Sequence, residues 1–160
     1  MVTIHKTNAI RILEAQAIEY QLYEYEVNDG QIDAVSVAKK IGFDPDLVFK
    51  TLVAVGKNTG INVFVIPASY SLDLKKEAEA ARDKRIEMLK TKDLLPATGY
   101  VHGGCPPIGM KKEYPTFIEE IASQYEYIIV SAGRIGLQVK LKPQDLSKLT
   151  KAKFADLISL

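Results

Sequence analysis

The segment TLVAVGKNTGINVFVIPAS (residues 51–69) is the part of the chain that best indicates the fold. It contains two runs rich in valine, isoleucine and phenylalanine, with the polar residues Lys57 to Gly60 between them. β-Branched and aromatic residues favour strands, and a short break containing Asn and Gly between two strands is typical of a hairpin. The segment therefore predicts an antiparallel β-hairpin.

The sequence before the hairpin predicts two helices and one strand. An apolar stripe at helical spacing predicts a helix from Thr7 or Asn8 to about Tyr20. The segment QLYEYEV (residues 21–27) alternates apolar and polar side chains, as a half-buried strand does. Asp33 or Ser36 can cap a short helix that Gly42 ends, and Asp44-Pro45 is a further helix-start signal.

The sequence after the hairpin adds further helices and strands. A charged helix is predicted over Leu72–Arg82, a short strand over Arg85–Met88 and a capped turn at Thr91. The runs YEYIIVSAG (residues 125–133) and GLQVKLK (residues 136–142) predict two more strands, and a helix is predicted from Pro143 to Leu160. This mixture predicts one α+β domain, residues 1–160, with a mixed sheet.

The composition limits the classes of function. The chain has 160 residues, of which 47% are hydrophobic, enough for a single core. Its 21 basic and 20 acidic residues argue against a grip on long nucleic acid. One cysteine allows no internal disulfide, the start MVTIHKTNAI lacks the pattern of a secretory signal, and no apolar run is long enough to span a membrane. We expect a cytoplasmic protein without membrane contact.

The segment TGYVHGGCPPIGMKK (residues 98–112) is the strongest candidate for a binding loop. Its four glycines let the backbone approach a ligand closely and aim N–H groups at an anion or a developing oxyanion. An ordinary surface loop would use the same turn-forming residues. The spacing matches neither a P-loop nor a dinucleotide-binding fingerprint.

The loop offers weak candidates for nucleophilic or metal chemistry. Cys105 has only His102 nearby as a base, so a bystander cysteine is the simpler interpretation. The other histidine, His5, is far away in sequence, and no zinc-ligand pattern is present. We therefore find no protein nucleophile and expect no metal and no cofactor.

Lys50 lies at the entry to the first apolar strand, beside Thr51. A lysine at the start of a strand is usually solvated. The alternative role is a contact to a phosphate or an ester oxygen. The residues alone do not choose between the two.

Four ordered segments resemble one known family. They are VFKTLV (residues 48–53), LDLKK (residues 72–76), the glycine loop of residues 98–112 and SAGRIGL (residues 131–137). Together they resemble the YbaK/EbsC group of aminoacyl-tRNA deacylases, which is related to the editing insertion domain of bacterial prolyl-tRNA synthetases. The likeness runs over nearly the whole chain. It implies a curved, partly barrel-like mixed sheet surrounded by short helices.

The resemblance also implies an activity. Proteins of this group remove wrong amino acids from tRNA, because a synthetase pocket cannot fully reject small side chains. Members of the YbaK type clear Cys-tRNA(Pro) in trans. There the thiol of the substrate attacks its own ester, so the protein only orients the substrate and stabilises the oxyanion. The implied partner is the tRNA acceptor end, with prolyl-tRNA synthetase as a further one.

Individual residues match the motifs of the family. Lys50 matches its essential lysine, with Thr51 beside it, and Gly103 and Gly104 match the glycine pair that faces the substrate carbonyl. The remaining matches are substrate-binding positions: Tyr25, Pro107, Gly109 and the turn Ser131, Ala132 and Gly133. The chain departs from the family at Ala132, often glycine, and near Gln138, where an acidic residue is common.

Other functions stay open at this point. A deacylase for Ala-tRNA(Pro) would have to position a water molecule, since that substrate has no thiol. A non-catalytic module would bind the CCA end or a synthetase without turnover. A phosphate-binding enzyme would use the glycine loop but leave the four ordered segments unexplained.

Overall fold

The hairpin predicted from residues 51–69 forms the centre of the fold. The computed structural model describes residues 5–159. In it, strands β2 (Phe49–Gly56) and β3 (Gly60–Pro67) pair antiparallel over their whole length, from Phe49 opposite Pro67 to Gly56 opposite Gly60. Gly60 adopts φ +73°, which a residue with a side chain rarely adopts. The hairpin prediction is confirmed.

Short helices and strands complete the described part of the chain. The helices are α1 (Asn8–Ala15), α2 (Ala34–Ile41), α3 (Leu74–Ala81), α4 (Thr91–Thr98) and α5 (Pro143–Thr150). The other strands are β1 (Gln21–Glu24), β4 (Ser71–Leu72), β5 (Ile86–Met88), β6 (Thr116–Glu119), β7 (Ile128–Ser131), β8 (Leu137–Leu141), β9 (Lys153–Ala155) and β10 (Ile158–Ser159). No helix within residues 5–159 is long and apolar enough to cross a membrane.

The strands form three sheets. The largest has the order β5-β2-β3-β6-β9, and its β3–β6 and β6–β9 pairs are parallel. The second, β1-β8-β7, is antiparallel, and β10 pairs with β4. A parallel bridge between Val48 and Ile129 joins the first two sheets. The α+β class with a mixed sheet is confirmed, whereas the partly barrel-like shape is not.

Four apolar clusters hold the sheets and helices of the described residues together, and two of them are the largest. The larger packs α1 between the two main sheets, with Ile10, Leu13, Ile118 and Val130 almost fully buried. The second lies on the other side of the large sheet, where the rings of Phe64 and Phe117 stack 5.4 Å apart. Burial of such side chains is the main driving force that keeps the elements in place.

The predicted start and end of α2 are confirmed. The Asp33 carboxylate accepts a hydrogen bond from Ser36 N at 3.1 Å, which satisfies a free amide of the first turn. Gly42 adopts the left-handed conformation at the C-cap, with φ +80°. Each of these two signals acts on the end of the helix next to it, so neither depends on distant parts of the chain.

Two predicted elements near the N-terminus are shorter than expected. The first helix ends at Ala15 rather than near Tyr20, because Ala17 turns the chain with φ 54°. The strand predicted over residues 21–27 ends at Glu24, whose partner Leu137 is the first residue of β8. A strand extends only as far as its partner does.

The C-terminal prediction is wrong beyond Thr150. Helix α5 ends there, because Lys151 adopts the left-handed conformation with φ 59°. The chain then adds β9 to β6 and β10 to β4 instead of continuing as a helix. The predicted endpoint, Leu160, lies outside the described residues. The helix start predicted at Asp44-Pro45 forms only a turn.

Candidate active site

A cleft of about 560 Å³ opens between the large sheet, helix α2 and the glycine loop. The start of β2 forms its floor, and residues at the beginning of α2 form one wall. The predicted site residues that line it are Lys50, Thr51, Gly103 and Ser131, together with Gln138. These residues are far apart in sequence, so the tertiary structure creates this site.

Lys50 supplies the ammonium group of the cleft. Its side chain is half-buried, and Nζ donates a hydrogen bond to Ala68 O at 3.3 Å. Burial lowers the pKa of Lys50 below its ordinary value. No Asp or Glu within residues 5–159 forms a salt bridge with it, and the carboxylate of the cleft wall, Asp33, instead accepts hydrogen bonds from Ser36. Its charge therefore faces the cleft without a protein counter-ion.

Two buried polar atoms beside Lys50 have no partner in the described part of the chain. They are Thr51 Oγ1 and Gln138 Oε1. Gln138 lies opposite Ser131 in the β7–β8 pair, and all three residues line the cleft. A buried polar atom without a hydrogen bond is costly, so such atoms in a cleft are suited to a ligand.

The glycine pair of the loop is divided between two roles. Gly103 lines the cleft with φ +86°, and its N–H has no acceptor among residues 5–159. The N–H of Gly104 instead donates to Val101 O at 3.0 Å. A Cβ on Gly104 would lie 2.8 Å from Ile135 N and 2.9 Å from Arg134 C. Gly103 thus leaves an unpaired backbone amide at the cleft, while Gly104 lets the loop pack against the backbone of residues 134–135.

Replacing Gly104 with alanine is expected to displace the loop. The added Cβ meets backbone atoms that cannot move aside easily, so we expect a loss of roughly 1–3 kcal/mol in the free energy of unfolding. The neighbouring Cys105 should then react faster with a thiol reagent. Gly30→Ala is a control for the backbone strain of a glycine replacement alone: a Cβ there meets no atom within 4 Å, so only the strain of alanine at φ +72°, about 1 kcal/mol, and an unchanged reactivity of Cys105 are expected. Wild-type stability together with an unreactive Cys105 in Gly104→Ala would contradict this packing.

The second half of the loop is anchored rather than open to the cleft. Tyr100 Oη donates to Ile108 O at 3.1 Å and to Gly109 O at 3.0 Å, and Asn8 Nδ2 donates to Gly109 O at 3.1 Å. A Cβ on Gly109 would lie 2.8 Å from Asn8 Nδ2. Pro107 is buried in the same stretch. Pro107 and Gly109 are therefore placed to support the loop from behind, and neither is among the residues that line the cleft.

The turn after β7 is held by the cap of α1. Thr7 Oγ1 accepts from Ile10 N at 3.2 Å and donates to Ala132 O at 2.5 Å. Gly133 N donates to Ser131 Oγ at 3.3 Å, and a Cβ on Gly133 would lie 3.0 Å from Thr7 Cβ. Of this turn, Ser131 lines the cleft, while Ala132 is fully buried behind it.

Cys105 is placed as a structural residue. It is 7% exposed, and Thr98 Oγ1 and Pro106 O lie 4.0 Å and 3.8 Å from its sulfur. Burial raises the pKa of the thiol to about 11, so almost no thiolate is present at neutral pH. His102 is exposed and lines the cleft nearby. The arrangement is that of an inert thiol, not of an activated nucleophile.

Tyr25 is not among the residues that line the cleft. Its N–H donates to Gly136 O at 3.0 Å, and Lys40 Nζ lies 5.9 Å from the centre of its ring. The hydroxyl is buried and has no partner within the described residues.

Sequence reasoning missed the apolar walls of the cleft. Helices α2 and α4 and strand β5 contribute them, through Val35, Met88, Leu89 and Leu94 among others. Val35 and Met88 are 39% and 45% exposed. An apolar residue on the polar side of a predicted helix or strand was the available signal, but single exposed apolar residues are common on any surface.

The chain is similar in sequence to known proteins over most of its length. The aminoacyl-tRNA editing domain family matches residues 31–149. The Enterococcus faecalis protein EbsC, to which Cys-tRNA(Pro)/Cys-tRNA(Cys) deacylase activity is attributed, is 48% identical over 155 residues, which cover 97% of this chain and 94% of that protein. The Bacillus subtilis protein YwhH is 22% identical over 135 residues, 84% of either chain.

Solved structures show the same fold. A crystal structure attributed to a trans-editing enzyme for prolyl-tRNA synthetase superposes with a TM-score of 0.85 at 24% identity, covering 98% of this chain and all of the other. The protein APE2540 superposes with a TM-score of 0.87 at 20% identity, covering 96% of this chain and 100% of its own.

Proposed function

Because the chain belongs to the aminoacyl-tRNA editing domain family, we propose that it is a deacylase that removes cysteine from mischarged tRNA(Pro), and also from tRNA(Cys), in trans. The observation that carries the proposal is Lys50, a half-buried ammonium that pairs with no carboxylate of residues 5–159 and lies in the same cleft as the Gly103 amide. A cation and a free amide in one cleft suit an ester attached to a polyanion.

We propose that the thiol of the substrate is the nucleophile. Its sulfur forms a bond to the ester carbonyl carbon, the bond from that carbon to the ribose oxygen breaks, and the thiol proton passes to the released ribose hydroxyl. The products are deacylated tRNA and a cyclic thiolactone, so neither an oxidant nor a protein nucleophile is consumed. The absence of an activated Cys105 thiolate is consistent with this route.

The residues of the cleft then have separate tasks. The Gly103 amide donates to the carbonyl oxygen as it becomes an oxyanion, and Lys50 holds the terminal adenosine with its phosphate. Thr51 Oγ1 and Gln138 Oε1 provide unpartnered polar atoms for the aminoacyl group. Gln138 Oε1 accepts hydrogen bonds without carrying a charge, so it can hold the α-ammonium group more weakly than a carboxylate would.

We also propose that a synthetase assists tRNA binding. With a net charge of +1, the chain has little electrostatic attraction for RNA beyond the acceptor end. Association with prolyl-tRNA synthetase would raise the effective concentration of the tRNA. Deacylation rates measured with and without the synthetase test this partnership.

The experiment that tests the function compares Cys-tRNA(Pro), Ala-tRNA(Pro) and Pro-tRNA(Pro) at submicromolar enzyme. We expect rapid loss of cysteine, slow loss of alanine and no loss of proline, because only cysteine carries the attacking thiol. Equal rates with cysteine and alanine would contradict attack by the substrate thiol and would favour hydrolysis by a positioned water molecule. RNA binding without any turnover would show that the protein is a non-catalytic binding module.

Cys105→Ser is expected to keep the rate of cysteine removal. The buried thiol is protonated and makes only weak contacts, so serine can take its place without loss of a catalytic group. The measurement is kcat/KM on Cys-tRNA(Pro), with thermal unfolding of the variant as the control for folding. A loss of activity in a fully folded variant would show that Cys105 takes part in the deacylation reaction.

A further inference from the structure

A second, smaller pocket of about 220 Å³ lies outside the cleft. We call it the aromatic pocket, and its key residues are Phe43, Tyr125, Glu126, Tyr127, Ile129 and Lys140. Its volume is below the usual range for a whole small-molecule ligand, so it suits one ring system rather than a nucleoside. Nothing in the proposed chemistry uses it.

The aromatic pocket is built as a stacking platform. The Nζ atom of Lys140 lies 5.0 Å from the ring centre of Tyr127 and 5.9 Å from that of Phe43. The Phe43 ring is held edge-on against Tyr23 at 5.1 Å. Half-exposed aromatic rings beside a cation are the usual means of binding the bases of a single strand, because every base has a π-face.

The cleft and the aromatic pocket are neighbours on one face of the β1-β8-β7 sheet. Gln138 lines the cleft, and Lys140, two residues further along β8, lines the aromatic pocket. Their side chains point to the same side of the strand and start about 7 Å apart. In the same way, Ser131 in β7 lines the cleft while Ile129 lines the aromatic pocket.

The wall between the two pockets is a thin apolar cluster. Val48 faces the cleft, and it bridges to Ile129, which faces the aromatic pocket. Ile129 N donates to Leu47 O at 2.9 Å, and Leu47 also lines the aromatic pocket. A chain that leaves the cleft along this sheet therefore reaches the aromatic pocket next.

The polar groups of the aromatic pocket favour a base with an exocyclic amine, such as cytosine, over uracil. Glu126 can only accept a hydrogen bond from a neutral or cationic group, and Lys140 can only donate one. Cytosine presents both complements, an exocyclic amine that donates to carboxylates and ring and carbonyl atoms that accept. In uracil the amine is replaced by a carbonyl oxygen, which a carboxylate repels. Asp44 and Asp46 lie close to Tyr125, so the phosphates should pass on the Lys140 side.

We propose that the aromatic pocket binds the cytosine that precedes the terminal adenosine of the substrate RNA. The proposal rests on the function proposed above, since it needs the acceptor end in the cleft. It assigns Tyr127 and Phe43 to stacking, Lys140 to the base and its phosphate, and Glu126 to the exocyclic amine. A site for this base would explain how a chain of net charge +1 holds a single-stranded RNA end.

The test is a binding cycle with a deacylated hairpin RNA that ends in single-stranded CCA. Its Kd is measured by fluorescence anisotropy at constant salt, with the intact RNA and with the penultimate base removed. Tyr127→Leu should raise Kd for the intact RNA about tenfold, whereas Tyr127→Phe, which keeps the aromatic ring, should have the Kd of wild type. Removal of the penultimate base should raise the Kd of wild type by a similar factor. It should not raise the Kd of Tyr127→Leu any further. Equal Kd values for wild type and a folded Tyr127→Leu would overturn the proposal. So would a loss of affinity on base removal that is as large in Tyr127→Leu as in wild type.

The charged residues allow a second measurement. Lys140→Gln should also raise Kd, whereas Lys153→Gln on β9 of the other sheet should not. Exchange of the penultimate cytosine for uracil should weaken binding to wild type and have little effect on Glu126→Gln. If the exchange weakens both equally, the base is not read by Glu126 and the assignment to cytosine is wrong.

One arm separates this proposal from the proposed function. Lys50→Ala should weaken binding of the same RNA because it removes the ammonium of the cleft. If Lys50→Ala weakens binding and Tyr127→Leu does not, only the aromatic pocket fails as a base site. If neither variant changes Kd, the RNA end does not occupy the cleft and the proposed function fails with it.

Discussion

Lys50→Ala is expected to lower kcat/KM for the removal of cysteine from tRNA(Pro) by at least about a hundredfold. The Lys50 ammonium lies half-buried in the cleft, and no carboxylate within the described residues pairs with it. Truncation therefore removes a group that interacts with the substrate and leaves no unpaired protein charge behind. The fold should persist, since the Lys50 side chain makes one protein hydrogen bond, to Ala68 O at 3.3 Å.

Lys57→Ala is the matched control for this variant. Lys57 lies on the same hairpin but is exposed in its turn, away from the cleft. We expect wild-type kcat/KM and an unchanged melting temperature for it. Single-turnover rates separate binding from chemistry in Lys50→Ala. A folded Lys50→Ala with the wild-type rate would remove the observation on which the proposed function rests.

Glu77→Gln is expected to change how stability depends on pH. Glu77 lies in the first turn of α3 and is fully buried, and neither carboxylate oxygen has a hydrogen-bond partner within residues 5–159. Burial raises the pKa of Glu77 from 4.5 to about 7. The folded state therefore binds a proton that the unfolded state has already released between these two values.

The sign of the effect follows from this proton. The contribution of Glu77 to stability is fully present below about pH 4.5 and is lost as the pH rises to about 7. The loss corresponds to roughly 3 kcal/mol, so Glu77→Gln should be more stable than wild type at pH 8 and lose that advantage towards pH 5. The measurement is the free energy of unfolding in urea at several pH values.

Glu79→Gln is the control on the same helix, because Glu79 is exposed. It should show the same pH dependence as wild type. If Glu77→Gln also follows wild type across the whole range, the carboxyl of Glu77 is hydrated or paired in solution. In that case the fold tolerates it at no cost.

Elements defined by local chemistry were predictable from the sequence. The β2–β3 hairpin has a polar turn between two β-rich runs, and α2 has the Asp33 cap and the left-handed Gly42 at its two ends. The β7 and β8 strands were likewise predicted from short apolar runs around Gly133 and Gly136. In each case the signals lie within a few residues of the structure that they specify.

Elements that depend on distant partners were missed or misjudged. Strands β6, β9 and β10 have two to four residues each and too short a pattern to recognise, and they form because β3, β6 and β4 offer free edges. Helix α4 contains Pro96, which argues against a helix, and the sequence predicted only a capped turn at Thr91. Tertiary packing outweighs weak local preference in such segments.

The candidate site also has features that the sequence indicates and features that only the tertiary structure determines. Motif order was enough to single out Lys50, the glycine loop and the turn at Ser131, because these residues can be read along the chain. Their assembly into one cleft, the different positions of Gly103 and Gly104, and the absence of Tyr25 from the cleft lining depend on sheet pairing and on the anchoring of α1. Caps, turns and alternation act over a few residues, whereas a cleft requires the net burial of surfaces from segments far apart in the chain.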